Sequence, residues 1–394
     1  MKRLSNICRA TASALLFALA LVPAGARAET PDTNAPASTN AAARTPPVDD
    51  GWLDLSHFLD EKYGFLPVVM PITEPAVGYG AAGGLMFISK PLGQAVAGFG
   101  RPNITMVGGL GTANGTWGSM AVDIRYWLDD HLQTLTGIVY SSVNLDFYGL
   151  GDNDALAGHP LRYNLEPAGG TMQGKYRIAG SRFWAGLSYA FARTRVAFDA
   201  PPGTPGRPPF QSESNVGGLT PSLTYDSRDN IFTPTHGTYM EGTAGLFTPG
   251  LGSDADFQRA QILAMQFVPL SSSLFLGLRG QAAGSFGDEP FYLRPYISLR
   301  GAPIMRYQGD EIAQLETELR WQCWKRFSLI GFAGTGTAWN NAEHFNNSET
   351  IVTGGTGFRY EIARKYGIHM GLDVAFGPDN TAVYIQVGSA WARP

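Results

Sequence analysis

Beyond residue 28 the chain has no uninterrupted apolar run of about 18 residues, which excludes a transmembrane helix in that part. Cysteine is nearly missing, with only Cys8 and Cys323. Cys8 falls in a leader-like segment, so Cys323 stands alone and no internal disulfide is expected. Charge is also scarce, at 16% of residues and −4 net, which leaves no basic footprint for nucleic acid.

Catalytic signatures are absent too. Gly174-Lys175 lacks the Ser or Thr that completes a phosphate loop. Gly186-Leu187-Ser188-Tyr189-Ala190 lacks the last Gly of a nucleophile elbow and lies inside a strand-like stretch. His57, His131, His159, His236, His344 and His369 are scattered, without metal-ligand pairing. Asp152 and Asp154 in GLGDND lack the rest of a calcium loop. No enzymatic activity, metal or other cofactor is expected.

The N-terminus reads as an export signal. Lys2, Arg3 and Arg9 precede the apolar stretch 10–22, and Ala26-Arg27-Ala28 supplies a small-x-small cleavage site. The apolar stretch is too short to span a bilayer as a helix. Losing residues 1–28 removes four positive charges and no acids, taking the net charge from −4 to −8. Residues 29–50, rich in Pro, Ala, Thr and Asn and without aromatics, read as a disordered linker. In 51–63, Trp52, Leu55, Phe58, Leu59 and Tyr63 recur at helical spacing, so a short amphipathic helix is expected there. It would act as a plug or surface helix at the periplasmic mouth, or simply pack on the rim.

From Gly64 the period becomes two. Phe183, Ala185, Leu187, Tyr189 and Phe191 alternate with Trp184, Gly186, Ser188 and Ala190. Met120, Val122, Ile124 and Tyr126 alternate with Asp123, Arg125 and Trp127; Ile368, Met370, Leu372 and Val374 alternate with His369, Gly371 and Asp373. The polar face carries Asp123, Arg125, Arg279, Glu316, Glu318, Arg320, Arg359, Glu361 and Asp373. Apolar-out, polar-in alternation over some 330 residues points to an all-β fold: a closed antiparallel barrel with lipid as its apolar partner. Strand-like runs fall at 64–72, 76–88, 101–112, 115–128, 132–146, 160–177, 181–195, 214–227, 237–248, 256–269, 273–286, 311–325, 327–339, 350–363, 366–376 and 381–391. That gives about sixteen strands in a barrel over 64–394. Residues 200–209 and 286–309 read as extracellular loops.

Three motifs stand out. Asp226-Ser227-Arg228-Asp229-Asn230, with Pro234 and Gly237, lies at a strand end, where one guanidinium between two acids would fix the turn. Leu299-Arg300-Gly301 sits inside the longest late loop, and GLGDN follows Phe147-Tyr148. Together these resemble the BamA/TamA family of outer-membrane barrels, the bacterial surface antigen family. ETELRW followed by FAGTGTAW looks like the two strands after that family's inward loop. AVYIQVGSAW, with Tyr384, Gly388 and Trp391, looks like its closing strand, which the barrel assembly machinery reads.

The resemblance implies a Gram-negative outer-membrane location and a loop arginine, Arg300, that meets lumen acids. Glu316 and Glu318 share parity with Arg320, so both are expected to face inward. Ala302 stands where the family prefers an aromatic, and Gly334 where related barrels often carry an inward Asp, so Glu318 alone is expected to carry the anchor, or a weaker one. Residues 29–63 are too few for a POTRA module, so a short member without such modules is expected. The implied role is assistance in outer-membrane biogenesis, moving or inserting proteins or lipids through a weakly sealed seam between first and last strands. Gly78, Gly80, Gly83, Gly84 and Gly388 fit such a seam, or else make room for lumen residues. A passive pore or small-molecule channel is the alternative, and a surface protein working through its loops a third.

Overall fold

The computed structural model describes residues 51–56, 65–88, 103–149, 160–199, 211–340 and 348–391. The leader, the linker, most of the 51–63 helix, loop 200–209 and most of GLGDN lie outside them. The chain divides after Asp54, and the second unit, from Leu55, is the barrel.

Sixteen strands build it. They are β1 Phe65–Ile72, β2 Gly80–Ile88, β3 Ile104–Thr112, β4 Trp117–Trp127, β5 Leu132–Phe147, β6 Leu161–Arg177, β7 Phe183–Phe198 and β8 Gln211–Asp226. Then follow β9 Gly237–Phe247, β10 Phe257–Pro269, β11 Leu274–Gly287, β12 Glu311–Trp324, β13 Phe327–Trp339, β14 Glu349–Ala363, β15 Ile368–Phe376 and β16 Thr381–Val387. Each pairs antiparallel with the next, from β1 to β16, in one meander. The strand count matches the periodicity. The boundaries agree within three residues except in β2, which starts at Gly80 rather than at residue 76, and in β16, which stops at Val387 rather than running to residue 391.

Among the described residues no ladder joins β1 to β16. A hydrogen bond from the Thr73 hydroxyl to the Val383 carbonyl crosses this seam. The barrel is therefore nearly closed. An even strand number brings β1 and β16 to the same end. That end also carries the tight connections 128–131, 270–273 and 325–326, as a periplasmic rim does.

Facing follows from cross-lumen contacts and register. Lys175 of β6 reaches Glu241 of β9 at 2.7 Å although these strands are not neighbours, so both point inward. Lys175 pairs with Gln133, and Gln133 with Tyr126, which puts those two inside as well. Arg125 and Asp123 consequently face outward. This corrects the sequence reading of β4: Met120, Val122, Ile124 and Tyr126 line the lumen, and the polar pair lies on the membrane side. Elsewhere the expected facing stands. In β12, Leu315, Leu319 and Trp321 are exposed on the outside, while Glu316 and Arg320 are buried inside.

Trp117 and Trp127 mark the ends of β4 on its outer face. Ten residues at about 3.3 Å each, tilted by about 40°, span roughly 25 Å, the height of a barrel's apolar band.

Candidate functional site

The connection 288–310, between β11 and β12, turns into the lumen and crosses it. At its start a short 3-10 turn, Phe291–Leu293, packs on the β5–β7 wall. Phe291 lies 4.9 Å from Phe147, 5.4 Å from Tyr163 and 5.6 Å from Phe198, ring centre to ring centre. The Tyr292 hydroxyl meets the Ser214 hydroxyl at 2.6 Å. Ile297, Leu299, Ala302 and Tyr307 then bury themselves against Ala283, Ile312, Ala338 and Ile351 on the opposite wall. Ala302 is buried in this tightly packed cluster.

Arg300 is the anchor at the loop tip. Its Nε donates to Glu316 Oε1 at 2.7 Å, and its Nη1 lies 2.7 Å from Glu318 Oε2 and 2.9 Å from Asp373 Oδ2. The guanidinium also stacks 3.7 Å over the Phe332 ring. Burial alone would pull its pKa down, but Glu318, Glu316 and Asp373 more than offset this and hold it above its ordinary value. The arginine stays charged.

Three carboxylates therefore hold Arg300, not Glu318 alone, and the third, Asp373 on β15, is the one the motif did not indicate. Asp373 is fully buried and also takes a two-pronged contact from Arg359, at 2.6 and 2.9 Å. Its register partner is Gly357, where an added Cβ would clash with Asp373 Oδ1. At Gly334 a Cβ would come within 3.0 Å of the Leu299 side chain. The loop itself fills the space that an Asp at 334 would need, and β15 supplies the acid instead.

Gly301 has φ +95, and a Cβ there would sit 3.0 Å from the Phe376 backbone. Only glycine fits both the left-handed conformation and the close approach. Its N–H donates to the Tyr384 hydroxyl of β16 at 3.1 Å. Beyond the tip, the Ile304 N–H donates to Glu74, in the β1–β2 connection, at 3.2 Å. Arg306 forks onto Asp379, in the β15–β16 turn, at 2.5 and 2.8 Å, and the Tyr307 hydroxyl donates to the same carboxylate. The loop thus touches the strand connections on both sides of the seam.

The strand-end motif lies at the terminus end of the barrel. Arg228 forks onto Asp226, at 2.9 and 3.0 Å, and none of the contacts described joins it to Asp229. Asp229 instead closes the turn by accepting from the Thr235 N–H, the Thr235 hydroxyl and the His236 N–H. Its acceptor oxygens are worth more there than in a second pairing with a guanidinium already satisfied. Asn230 donates to the Tyr366 carbonyl at 2.8 Å, tying this turn to the β14–β15 turn. Gly237 opens β9 at φ +106, and Pro234 lines a small cleft with Arg320, Arg359 and Gly388.

Gly388 and Trp391 leave the closing strand. Gly388 has φ +78, and a Cβ there would meet the Phe232 carbonyl at 2.7 Å. The chain turns into the lumen, and Trp391 packs on Tyr239, Leu263, Met265 and Phe267. Its indole N–H donates to Glu316 Oε2 at 2.6 Å. Glu316 thus serves both the loop and the tail.

Residues 213–382 match the Omp85 superfamily domain. The chain has the fold of a BamA/TamA-like outer-membrane barrel. Its fold is similar to that of BamA from Haemophilus ducreyi lacking POTRA domains 1–3, at 13% identity and a TM-score of 0.55, covering 84% of this chain and 70% of that one. It is also similar to CdiB from Escherichia coli, at 13% identity and a TM-score of 0.57, covering 82% of this chain. The Omp85-type barrel spans 61% of the CdiB chain. No curated protein matches its sequence.

Proposed function

We propose that this barrel assists outer-membrane biogenesis by passing cargo through the side of the barrel between β1 and β16, without enzymatic chemistry. The observation that carries this reading is the seam: among the described residues fifteen neighbouring pairs form ladders, and β1 with β16 does not. A strand edge left without a partner exposes backbone groups that lipid cannot satisfy, so it is maintained only where something is to pair with it or pass it. The loop supports the reading from inside. Held by Arg300 and by Arg306, it braces both sides of the seam in place of the missing ladder.

A passive pore is the second reading, supported by the charged lumen wall. The loop and the tail both cross that lumen, which favours lateral over axial passage. Sealing the seam separates the two. A Thr73→Cys/Val383→Cys double variant, oxidised in living cells, is expected to reproduce the effect of depleting the protein, and reduction to restore it. Full function with the disulfide formed would refute lateral passage.

A further inference from the structure

The lumen wall nearest the seam is apolar. Register places Met70 of β1, Met86 of β2, Met106 and Leu110 of β3, Met120 of β4 and Val139 of β5 on the same inner face as Tyr126 and Gln133. Met70, Leu110, Met120 and Val139 point inward yet remain 37%, 40%, 43% and 43% exposed. Barrel lumens are ordinarily polar because water fills them, and uncovered apolar surface of this kind marks a ligand site.

On the outer face of the same strands the polarity is inverted. The Thr105 hydroxyl donates to Asp123 at 2.5 Å, and Arg125 forks onto Asp123 at 2.8 and 3.0 Å. Across the lumen the wall is polar again, with the Lys175–Glu241 pair. Among the described residues, the apolar lumen surface left widely uncovered is thus that of β1–β5, the inward apolar residues of β9–β14 being buried under the loop and the tail. The β1 edge of this surface lies at the seam, where among the described residues no ladder to β16 separates it from the bilayer side.

Two kinds of apolar guest could lie on such a wall. A polypeptide strand would bring backbone N–H and C=O groups that a face covered with side chains cannot pair. An acyl chain brings none. Methionines, unbranched and polarisable, adapt to a chain with no fixed shape. We infer that the inner face of β1–β5 is an acyl-chain site, and that the cargo entering through the seam is a membrane lipid. This rests on the biogenesis reading above and names its cargo.

The test uses the full chain in vesicles of phosphatidylethanolamine and phosphatidylglycerol containing a trace of phospholipid with a diazirine on one acyl chain. After irradiation, adducts are mapped by mass spectrometry. Adducts are expected on Met106, Leu110 and Met120, beside those on the outward Val107 and Ile138. A Met106→Gln/Met120→Gln double variant should lose inner labelling about tenfold, near 1.4 kcal/mol, with Ile138 labelling unchanged as the sign of a folded barrel. Val139→Thr, nearly isosteric, serves as a second variant should the first not fold. Adducts confined to the outer face would overturn the site. Inner labelling by a diazirine-bearing amphipathic peptide, with none by the lipid, would overturn the acyl assignment while leaving the biogenesis reading intact. Failure of that reading shows separately, as an unchanged outer-membrane profile on depletion.

Discussion

The indole N–H of Trp391 donates to Glu316 at 2.6 Å inside the barrel, on the carboxylate whose other oxygen takes Arg300. The tail beyond the last strand and the tip of the inward loop therefore share one acid. Moving either one strips Glu316 of a partner while it remains buried, which costs more than the contact itself is worth. Trp391→Phe keeps the ring packing and removes only the donor. It is expected to cost about 1.5–3 kcal/mol, read as a lower urea midpoint for unfolding in detergent, together with faster proteolysis of loop 288–310. Loss of stability without any change at the loop would break the link between tail and tip.

Arg300→Ala leaves Glu316, Glu318 and Asp373 facing a void, with Arg359, Arg279 and Arg320 as nearby cations. The expected cost is about 3–5 kcal/mol, measured by the same unfolding midpoint. Arg300→Lys should recover only part of it, because an ammonium cannot reproduce the planar fork that spans three carboxylates. Full rescue by lysine would mean that charge alone holds the loop.

The three acids are not equal. Asp373 is fully buried between two guanidinium groups, whereas the Glu318 side chain is 14% exposed and pairs with Arg300 alone among the ion pairs described. Asp373→Asn is therefore expected to destabilise by about 3–5 kcal/mol, and Glu318→Gln by about 1–3 kcal/mol. Equal losses in the two variants would contradict this picture of the anchor.

Glu74 gives the loop a dependence on pH. Burial raises its pKa above the ordinary carboxylate value, and the N–H donors of Ile304 and Ala76 offset this only in part. A raised pKa means that the folded state favours the protonated acid. The stabilising contribution is complete below the unfolded value of 4.5 and fades as pH rises through the folded value. Exchange protection of the Ile304 amide, corrected for intrinsic rate, should fall across that window in the wild type. It should stay flat in Glu74→Gln, and the same profile in both would exclude Glu74 as the cause.

The strands were legible in the sequence nearly residue by residue, because lipid on one side and a lumen on the other enforce a period of two. Alternation does not say which face is inside. In β4 charge alone points Asp123 and Arg125 to the lumen, and only the register running back to Lys175 reverses this. AVYIQVGSAW keeps its alternation past Val387, where the last strand ends. The turn inward depends on the φ of Gly388 and the approach of Phe232, neither of which a string of residues displays. Arg300 with Glu316 and Glu318 could be named from motif and parity. Asp373 could not: it lies 73 residues from Arg300, and barrel curvature brings the two together. Gly334 looked like a missing acid and is a space taken by Leu299.

The central claim, a role in outer-membrane biogenesis, is tested most directly by depleting the protein and quantifying outer-membrane proteins and lipids against a complemented strain. The expected result is a selective shift, in lipid composition foremost, that the wild-type gene restores and the oxidised Thr73→Cys/Val383→Cys variant does not. An unchanged profile of both proteins and lipids would contradict it.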